Sequence, residues 1–231
     1  MIEYVKESVM MAKQNQKEFP LDDGTVAYIK DPLPDNVSLE SVLEKIDKAL
    51  PPWVTDEIDM IYIGHFDIFD DRSINSLYAD GAIYITNNQD DELDMVDDIM
   101  HEAAHAIEAP YGSIIYESGE LESEFLQKRM KLFQLLKTQD IKISNARQMF
   151  LNIEFNRDFD DFLYKKVGYD LLDSLLIGVF IRPYAATSIN EYFATGFTEY
   201  YLGDRLYLRD TCPKLYKILD ELENLEQNEL L

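Results

Sequence analysis

Two of the three histidines in this 231-residue chain lie four positions apart in the segment DDIMHEAAHAIE, residues 97–108. On a helix, side chains at positions i and i+4 project from nearly the same face, so the imidazoles of His101 and His105 can bind one ion. The carboxylate of Glu102 can approach a water molecule on that ion without binding the ion itself. This HExxH pattern predicts one Zn²⁺ per chain. The alternative is a solvated helix whose histidines have no special role.

Other metal sites fit the sequence less well. The single cysteine, Cys212, excludes a cysteine-rich zinc site and an intrachain disulfide. A di-iron bundle needs a second ExxH motif on another helix, and the only remaining histidine, His65, falls in a predicted strand. We therefore interpret His65 as a sheet residue rather than as a ligand.

A catalytic zinc site needs three protein ligands and an open position, so a carboxylate has to complete the histidine pair. Glu108 lies on the same helix face, but it is displaced by one turn and its reach to the same ion is poor. Glu191, in the segment SINEYFATGF on a separate predicted helix, is the better candidate. A second interpretation stays open, because Ser188 and Glu191 also have the spacing of a helix capping box.

The order of predicted elements is a few strands followed by many helices, which is typical of an α+β fold. Segments 58–69 and 82–86 have the composition of strands. Helical patterns cover residues 1–16 (weakly), 38–50, 91–108, 122–137, 145–155, 169–180, 190–202 and 213–231. The helix over 91–108 has an apolar stripe of Leu93, Val96, Met100, Ala103, Ala104 and Ile107. Its polar stripe consists of Asp94, Asp97, His101, His105 and Glu108.

The net charge of −24 argues against a nucleic acid or an anionic membrane surface as partner, because both require cationic side chains. A cationic partner or substrate is easier to accommodate. No segment has the apolar run of a membrane-spanning helix or a secretory signal, so we expect a cytoplasmic protein. The oligomeric state is not predicted.

Two separate motifs resemble one known family. The segment HEAAHAIE is followed downstream by a tyrosine, six intervening residues and a helix that begins EYFATGF. This combination resembles the catalytic domain of anthrax lethal factor and the related secreted Pro-Pro endopeptidases, which are zincins of the gluzincin type. The tail PKLYKILDEL also resembles the closing helix of that family. The resemblance covers residues 58–110 and 180–222.

The resemblance implies a zincin-like fold in which His101, His105 and Glu191 bind zinc. Glu102 is then the general base, and Tyr184 donates a hydrogen bond in the transition state. The resemblance also implies that the strand before the active-site helix is the sheet edge along which an extended peptide pairs. A buried core strand is the competing interpretation. The residues of that strand are Ala82, Ile83, Tyr84 and Ile85.

The sequence also departs from the family pattern. The stretch 120–180 makes the path between the second histidine and the third ligand much longer, and Thr195 stands where the family usually has an acid. The single domain 1–231 therefore contains four predicted parts. They are an N-terminal helical segment (1–57), a sheet with the active-site helix (58–110), a helical insertion (120–180), and the third-ligand and closing helices (181–231).

The predicted function is a zinc-dependent endopeptidase that hydrolyses peptide bonds with a metal-activated water and Glu102 as general base. One alternative is a non-catalytic acidic protein that keeps the zincin fold and binds or inhibits a basic protein. The intact Glu102 argues against that alternative, since a structural zinc has no use for a general base. Zinc-dependent hydrolysis of a bond other than a peptide is a third possibility.

Overall fold

The computed structural model describes residues 17–21, 24–72, 74–139, 141, 143 and 146–229. The chain divides into two compact units, Met1–Ala106 and Ile107–Leu231. The first unit contains the described strands together with helices, and the described elements of the second unit are helical. The α+β class is therefore confirmed. The weak helical pattern over residues 1–16 lies outside the described residues.

One small mixed sheet lies in the first unit. Its strands are β1 (Glu18–Pro20), β2 (Val26–Ile29), β3 (Met60–Ile63), β4 (Ser76–Ala79) and β5 (Ala82–Ile85). Their order across the sheet is β1-β2-β3-β5-β4. The three central strands are parallel, and each outer strand is antiparallel to its neighbour.

The sheet includes strands from residues 1–57, which the sequence pattern predicts to be helical. The N-terminal segment is not wholly helical, because β1 and β2 lie in it. Strands of three and four residues are too short for their periodicity to be recognised. The strand predicted over 58–69 ends at Ile63, since Asp67–Arg72 form a helix. His65 lies exposed between the two, so its interpretation as a sheet residue is wrong.

Strand β5 is confirmed near its predicted limits, but it lies inside the sheet. Ile83 is paired with Ile61 of β3 on one side and with Tyr78 of β4 on the other. Both hydrogen-bonding edges of Ala82–Ile85 are therefore occupied by neighbouring strands. The prediction that this strand forms the sheet edge is wrong, and the competing interpretation as a core strand is confirmed. Within the described part of the chain, β1 and β4 are the edges.

Alternation along the strands gives the sheet two different faces. One face carries side chains that are at most 1% exposed, namely those of Ala27, Ile61, Ile63, Ile83 and Ile85. On the other face, Tyr28, Tyr62 and Tyr84 lie in register across β2, β3 and β5. The ring centroids of Tyr62 and Tyr84 are 5.2 Å apart, and those of Tyr28 and Tyr62 are 6.2 Å apart. These rings are half-buried.

Four helices accompany the sheet in the first unit. They are α1 (Leu39–Ala49), α2 (Pro52–Thr55), α3 (Asp67–Arg72) and α4 (Glu92–Glu108). The hydroxyl of Ser38 caps α1 by accepting a hydrogen bond of 3.3 Å from the backbone N–H of Ser41. Trp53, the single tryptophan of the chain, lies in α2 and is 6% exposed. The helices predicted over 38–50 and 91–108 are thus confirmed.

The second unit consists of helices joined by short connections. They are α5 (Gly112–Tyr116), α6 (Glu120–Thr138), α7 (Ala146–Leu151), α8 (Arg157–Asp161), α9 (Tyr169–Leu176), α10 (Ile189–Leu202), α11 (Arg205–Thr211) and α12 (Pro213–Glu229). A π-helical segment covers Phe162–Val167, and a 3-10 turn covers Pro183–Ala186. The five helices predicted after residue 120 are present, two of them shorter than predicted. Within the described residues, no helix combines the length and apolar character required to span a membrane.

Candidate metal centre

Helix α4 is fixed by its apolar side. The predicted apolar stripe is buried at Val96, Met100, Ala103, Ala104 and Ile107, each at most 2% exposed. Leu93 is the exception, with 66% of its surface exposed, because it lies in the first turn of the helix. The cap at this end is Asp91, whose Oδ1 accepts hydrogen bonds from the N–H groups of Leu93 and Asp94 at 2.7 and 3.0 Å.

The two histidines of the motif lie together on another side of α4. The ring centroids of His101 and His105 are 5.1 Å apart, with an angle of 78° between the ring planes. Both side chains are half-buried. This arrangement follows from their spacing of four residues, which places them one turn apart on one face.

Glu102 lies between the histidines in sequence and is 4% exposed. Its Oε1 accepts a hydrogen bond of 2.6 Å from the hydroxyl of Ser76. Its Oε2 accepts a hydrogen bond of 2.7 Å from the backbone N–H of Tyr78. Both donors belong to β4, so the carboxylate is held against the open edge of the sheet.

Asp98, one turn before the motif, is a half-buried acid on α4. The amide of Gln89 donates a hydrogen bond of 3.1 Å to its Oδ2. Burial raises the pKa of Asp98 to about 6, and the negative charges of Asp94, Asp97 and Glu102 act in the same direction. The hydrogen bond from Gln89 opposes this shift without cancelling it.

Glu191 lies in the first turn of α10. The hydroxyl of Ser188 accepts a hydrogen bond of 3.1 Å from the backbone N–H of Glu191, so Ser188 is the N-cap of this helix. The capping interpretation is thus confirmed for Ser188. That bond uses the backbone N–H of Glu191 and not its carboxylate.

The carboxylate of Glu191 lies near the histidine pair. One ligand atom from each of His101, His105 and Glu191 lies within 4.8 Å of the other two, and all three side chains are half-buried. Ligand atoms about 2.1 Å from a tetrahedral zinc ion lie about 3.4 Å apart. Small side-chain rotations would therefore allow these three groups to share one ion.

Glu108 has a different role from that of a metal ligand. Its Oε2 accepts hydrogen bonds from the hydroxyl of Tyr116, at 2.6 Å, and from the side-chain amide of Asn190. Burial raises the pKa of Tyr116, and the negative charge of Glu108 adds to the shift, so this phenol remains a donor. Asn190 immediately precedes Glu191, so its hydrogen bond to Glu108 holds the first turn of α10 in place.

Tyr184 lies in the 3-10 turn that precedes α10 and is half-buried. Its carbonyl accepts hydrogen bonds from the N–H and the hydroxyl of Thr187, at 2.9 and 2.8 Å. The turn before α10 is therefore ordered by its own hydrogen bonds. Thr195 is 3% exposed within α10. His65 is exposed, with its Nε2 3.4 Å from a carboxylate oxygen of Asp70.

Ser76 and Tyr78, the two residues that hold Glu102, are not among the predicted site residues, because the sequence pattern does not predict strand β4. The available signal was the pair Asp80 and Gly81, which have positive φ angles of 49° and 82° and connect β4 to β5. An Asp-Gly pair is a strong indicator of a tight hairpin. It marks the end of one strand as well as the start of the next, so it could have revealed Ser76 and Tyr78.

Comparison of the chain with protein-family models, with curated proteins and with solved structures finds no match. The chemistry of the site is defined by its donor atoms. Two imidazole nitrogens and one carboxylate oxygen form a ligand set that suits a catalytic zinc ion and leaves a fourth position for water or substrate.

Proposed function

We propose that this chain is a zinc-dependent endopeptidase with a zincin-like fold of the gluzincin type. The observation that carries the proposal is the convergence of ligand atoms from His101, His105 and Glu191 to within 4.8 Å. The resemblance to the lethal factor catalytic domain supports the same three ligands. A Zn²⁺ ion held by this donor set acts as a Lewis acid and lowers the pKa of a water molecule towards 7.

Glu102 is the general base of the proposed reaction. An ionised carboxylate offers about four acceptor positions, and the bonds from Ser76 and Tyr78 use two of them. The remaining positions can accept a proton from the attacking water. Glu102 then returns that proton to the amine that leaves when the peptide bond breaks. The two bonds from β4 fix the carboxylate and reduce the reorganisation that proton transfer requires.

The peptide substrate pairs with β4 in this proposal, rather than with β5. In an antiparallel pair, successive residues point their backbone groups alternately towards and away from the partner strand. The N–H of Thr86 donates to the carbonyl of Asn75, so the backbone groups of Ser76 and Tyr78 point to the open side of β4. On this side the N–H of Tyr78 already donates to Glu102, so an extended peptide would pair through the other backbone groups of Ser76 and Tyr78.

Tyr184 is the donor to the oxyanion that forms as water attacks the carbonyl. This role comes from the resemblance, which places a tyrosine seven residues before the third ligand. Two structural features support it, namely the half-burial of Tyr184 and the ordered turn over Pro183–Ala186. A phenol held in a turn next to the ligand helix requires little reorganisation to donate a hydrogen bond.

Zinc stoichiometry of two matched variants tests the ligand set. Glu191→Gln retains the backbone N–H that bonds to Ser188 but loses the anionic ligand, so we expect it to lose tightly bound zinc. Glu199→Gln changes another glutamate of α10, whose Oε1 accepts from the N–H of Asp204 at 2.9 Å, and should keep one zinc per chain. The measurement is metal analysis after dialysis. Full zinc occupancy in Glu191→Gln would reject Glu191 as a ligand.

Peptide cleavage distinguishes the endopeptidase from the alternatives. The zinc-loaded protein should cleave members of a peptide library, and a chelator should abolish cleavage. Tight zinc binding without cleavage of peptides or unfolded proteins would favour the non-catalytic acidic protein. The high negative charge of the chain makes that alternative testable by capture of a basic protein.

A further inference from the structure

Two neighbouring cationic residues on α6, Lys128 and Arg129, are buried. Lys128 is 9% exposed and Arg129 is 1% exposed. Burial of a charged side chain is unfavourable unless its donors are satisfied, so each of these residues requires an explanation. Both donate hydrogen bonds to backbone carbonyls, but they reach different parts of the second unit.

Arg129 connects three elements. Its Nη1 donates to the carbonyl of Met149 in α7 at 2.9 Å, and its Nη2 donates to the carbonyl of Thr187 at 2.8 Å. The guanidinium also lies over the rings of Phe159 and Phe125, with distances of 4.1 and 4.9 Å to their centroids. Its Nε is buried and has no hydrogen-bond partner among the described residues.

Thr187 lies two residues before Ile189, the first residue of α10. Ser188, the next residue, is the N-cap of α10, and Glu191 lies three residues further. The N–H of Ile189 is also held from outside, by the carbonyl of Ile153 at 2.9 Å. Arg129 and Ile153 therefore fix the backbone on both sides of the N-cap. The direction in which α10 begins determines where the carboxylate of Glu191 lies.

Lys128 provides the contrast. Its Nζ donates to the carbonyls of Val179 and Thr211, both at 2.6 Å. Thr211 ends α11, and Val179 lies in the connection before the 3-10 turn. Lys128 is thus also a buried cation on the same helix, yet neither of its acceptors adjoins the N-cap of α10.

We propose that Arg129 is a positioning residue for the third metal ligand, so that the inserted helix α6 sets the place of Glu191 through the Thr187 carbonyl. This inference rests on the proposed function, since it assumes that Glu191 binds zinc. The inserted stretch then has a defined purpose in the metal site. Burial lowers the pKa of Arg129 to about 9, and the guanidinium therefore remains charged at neutral pH.

The zinc dissociation constant of matched variants tests the inference. Arg129→Met removes both donors to Met149 and Thr187, and we expect zinc to bind about tenfold more weakly, as is typical when a group that orients a metal ligand is lost. Lys128→Met removes the neighbouring buried cation and should change zinc affinity by less than about twofold. Competition with a chelator gives the constants, and near-ultraviolet circular dichroism gives the folded fraction to which they are normalised.

The zinc affinity of a double variant with Glu191→Gln distinguishes an effect that acts through Glu191 from a general loss of stability. If Arg129 acts through Glu191, adding Arg129→Met to Glu191→Gln should cause no further loss of zinc affinity. An additional tenfold loss in the double variant would overturn the inference. Equal zinc constants for Arg129→Met, Lys128→Met and the unmodified protein would also overturn it and would leave the proposed function intact. Absence of zinc binding in the unmodified protein would instead reject the proposed function.

A second pair of variants applies if Arg129→Met does not fold. Arg129→Lys and Lys128→Arg both keep the buried charge and at least one donor. Because the lysine ammonium cannot reproduce the two-armed geometry of a guanidinium, Arg129→Lys should weaken zinc binding severalfold. Lys128→Arg should leave the constant unchanged. Equal constants in these two variants would contradict the inference.

Discussion

Two buried glutamates, Glu102 in the first unit and Glu124 in the second, are held in similar ways but in different surroundings. Glu102 is 4% exposed and Glu124 is 7% exposed. Glu124 accepts hydrogen bonds from the hydroxyl of Tyr192 at 2.7 Å and from the N–H groups of Lys214 and Leu215 at 2.9 and 3.2 Å. It therefore satisfies the start of α12, where the helix dipole favours a negative charge.

Burial and hydrogen bonding therefore do not by themselves identify a reactive carboxylate. All three donors to Glu124 come from side chains and backbone of the helical unit, whereas Glu102 receives both of its bonds from an open sheet edge. Glu102 also lies beside two histidines. We therefore expect the same substitution to affect catalysis at one position and folding at the other.

The largest effect is expected for Glu102→Gln. Loss of the general base should lower kcat/KM by about 10² to 10⁴. Zinc content should be unchanged, because Glu102 is not a proposed ligand, and a glutamine can keep an acceptor for Ser76 or Tyr78. The assay is cleavage of the best peptide from the library, together with metal analysis. Cleavage at the rate of the unmodified protein would contradict a catalytic role for Glu102, and Glu102 would then not differ from Glu124 in this respect.

Two tyrosines of the second unit, one proposed to act in catalysis and one bonded to Glu124, give a similar pair. Tyr184→Phe should lower kcat by about 10² to 10³ with little change in stability, as expected for loss of one oxyanion donor. Tyr192→Phe removes the donor to Glu124 and should instead lower the free energy of unfolding by about 1 kcal/mol. Its activity per folded molecule should be retained. Identical kinetic effects in the two variants would contradict the role of Tyr184.

Glu124→Gln should lower the free energy of unfolding by about 2 to 3 kcal/mol. The amide group of glutamine cannot accept hydrogen bonds from all three donors, and the N–H groups of Lys214 and Leu215 then lose their charged partner. Zinc affinity per folded molecule should be unchanged. Urea unfolding followed by far-ultraviolet circular dichroism measures this loss of stability. A stable Glu124→Gln protein that no longer binds zinc would contradict the purely structural role of Glu124.

Asp98 is a half-buried acid, and it is expected to destabilise the fold at neutral pH. Its pKa is raised to about 6 from an ordinary 3.8, so the folded chain holds the proton more tightly than the unfolded chain. The free energy of unfolding should therefore fall as the pH rises from about 4 to about 6. Asp98→Asn should remove this contribution and increase stability at pH 7 by on the order of 1 to 2 kcal/mol.

Urea titrations of the metal-free protein at pH 4.5 and pH 7 measure this effect, with Asp173→Asn as the exposed control. The increase in stability should be seen at pH 7 and be much smaller at pH 4.5. The amide that Asp98→Asn introduces can also donate to Oε1 of Gln89, which is buried without a hydrogen-bond partner among the described residues. Destabilisation of Asp98→Asn at pH 7 would show that the charged form of Asp98 is favoured in the folded state.

The parts of the molecule that were predictable from sequence are those with long or local patterns. Helix α4 has an apolar stripe over several turns, and the spacing of His101 and His105 fixes their geometry within one turn. The capping role of Ser188 is likewise a local relation to Glu191. These features need no knowledge of how distant segments meet.

The parts that were not predictable depend on contacts between distant segments. The order of strands decides that β4 rather than β5 is an edge, and short strands give little information about order. Arg129 donates to the backbone carbonyls of Met149 and Thr187. Because every residue has a backbone carbonyl, the residue types at these two positions do not indicate the contact. An arginine within a helical pattern is otherwise indistinguishable from a solvated one.

The position of Trp53 has a practical consequence for studying the two units. Since the only indole of the chain is buried in α2, its fluorescence reports the surroundings of Trp53 in the first unit. Helical ellipticity is dominated by the second unit, to which most of the described helical residues belong. Emission and ellipticity curves recorded on one sample would coincide if the chain melts cooperatively, and would separate if either half can persist after the other has come apart.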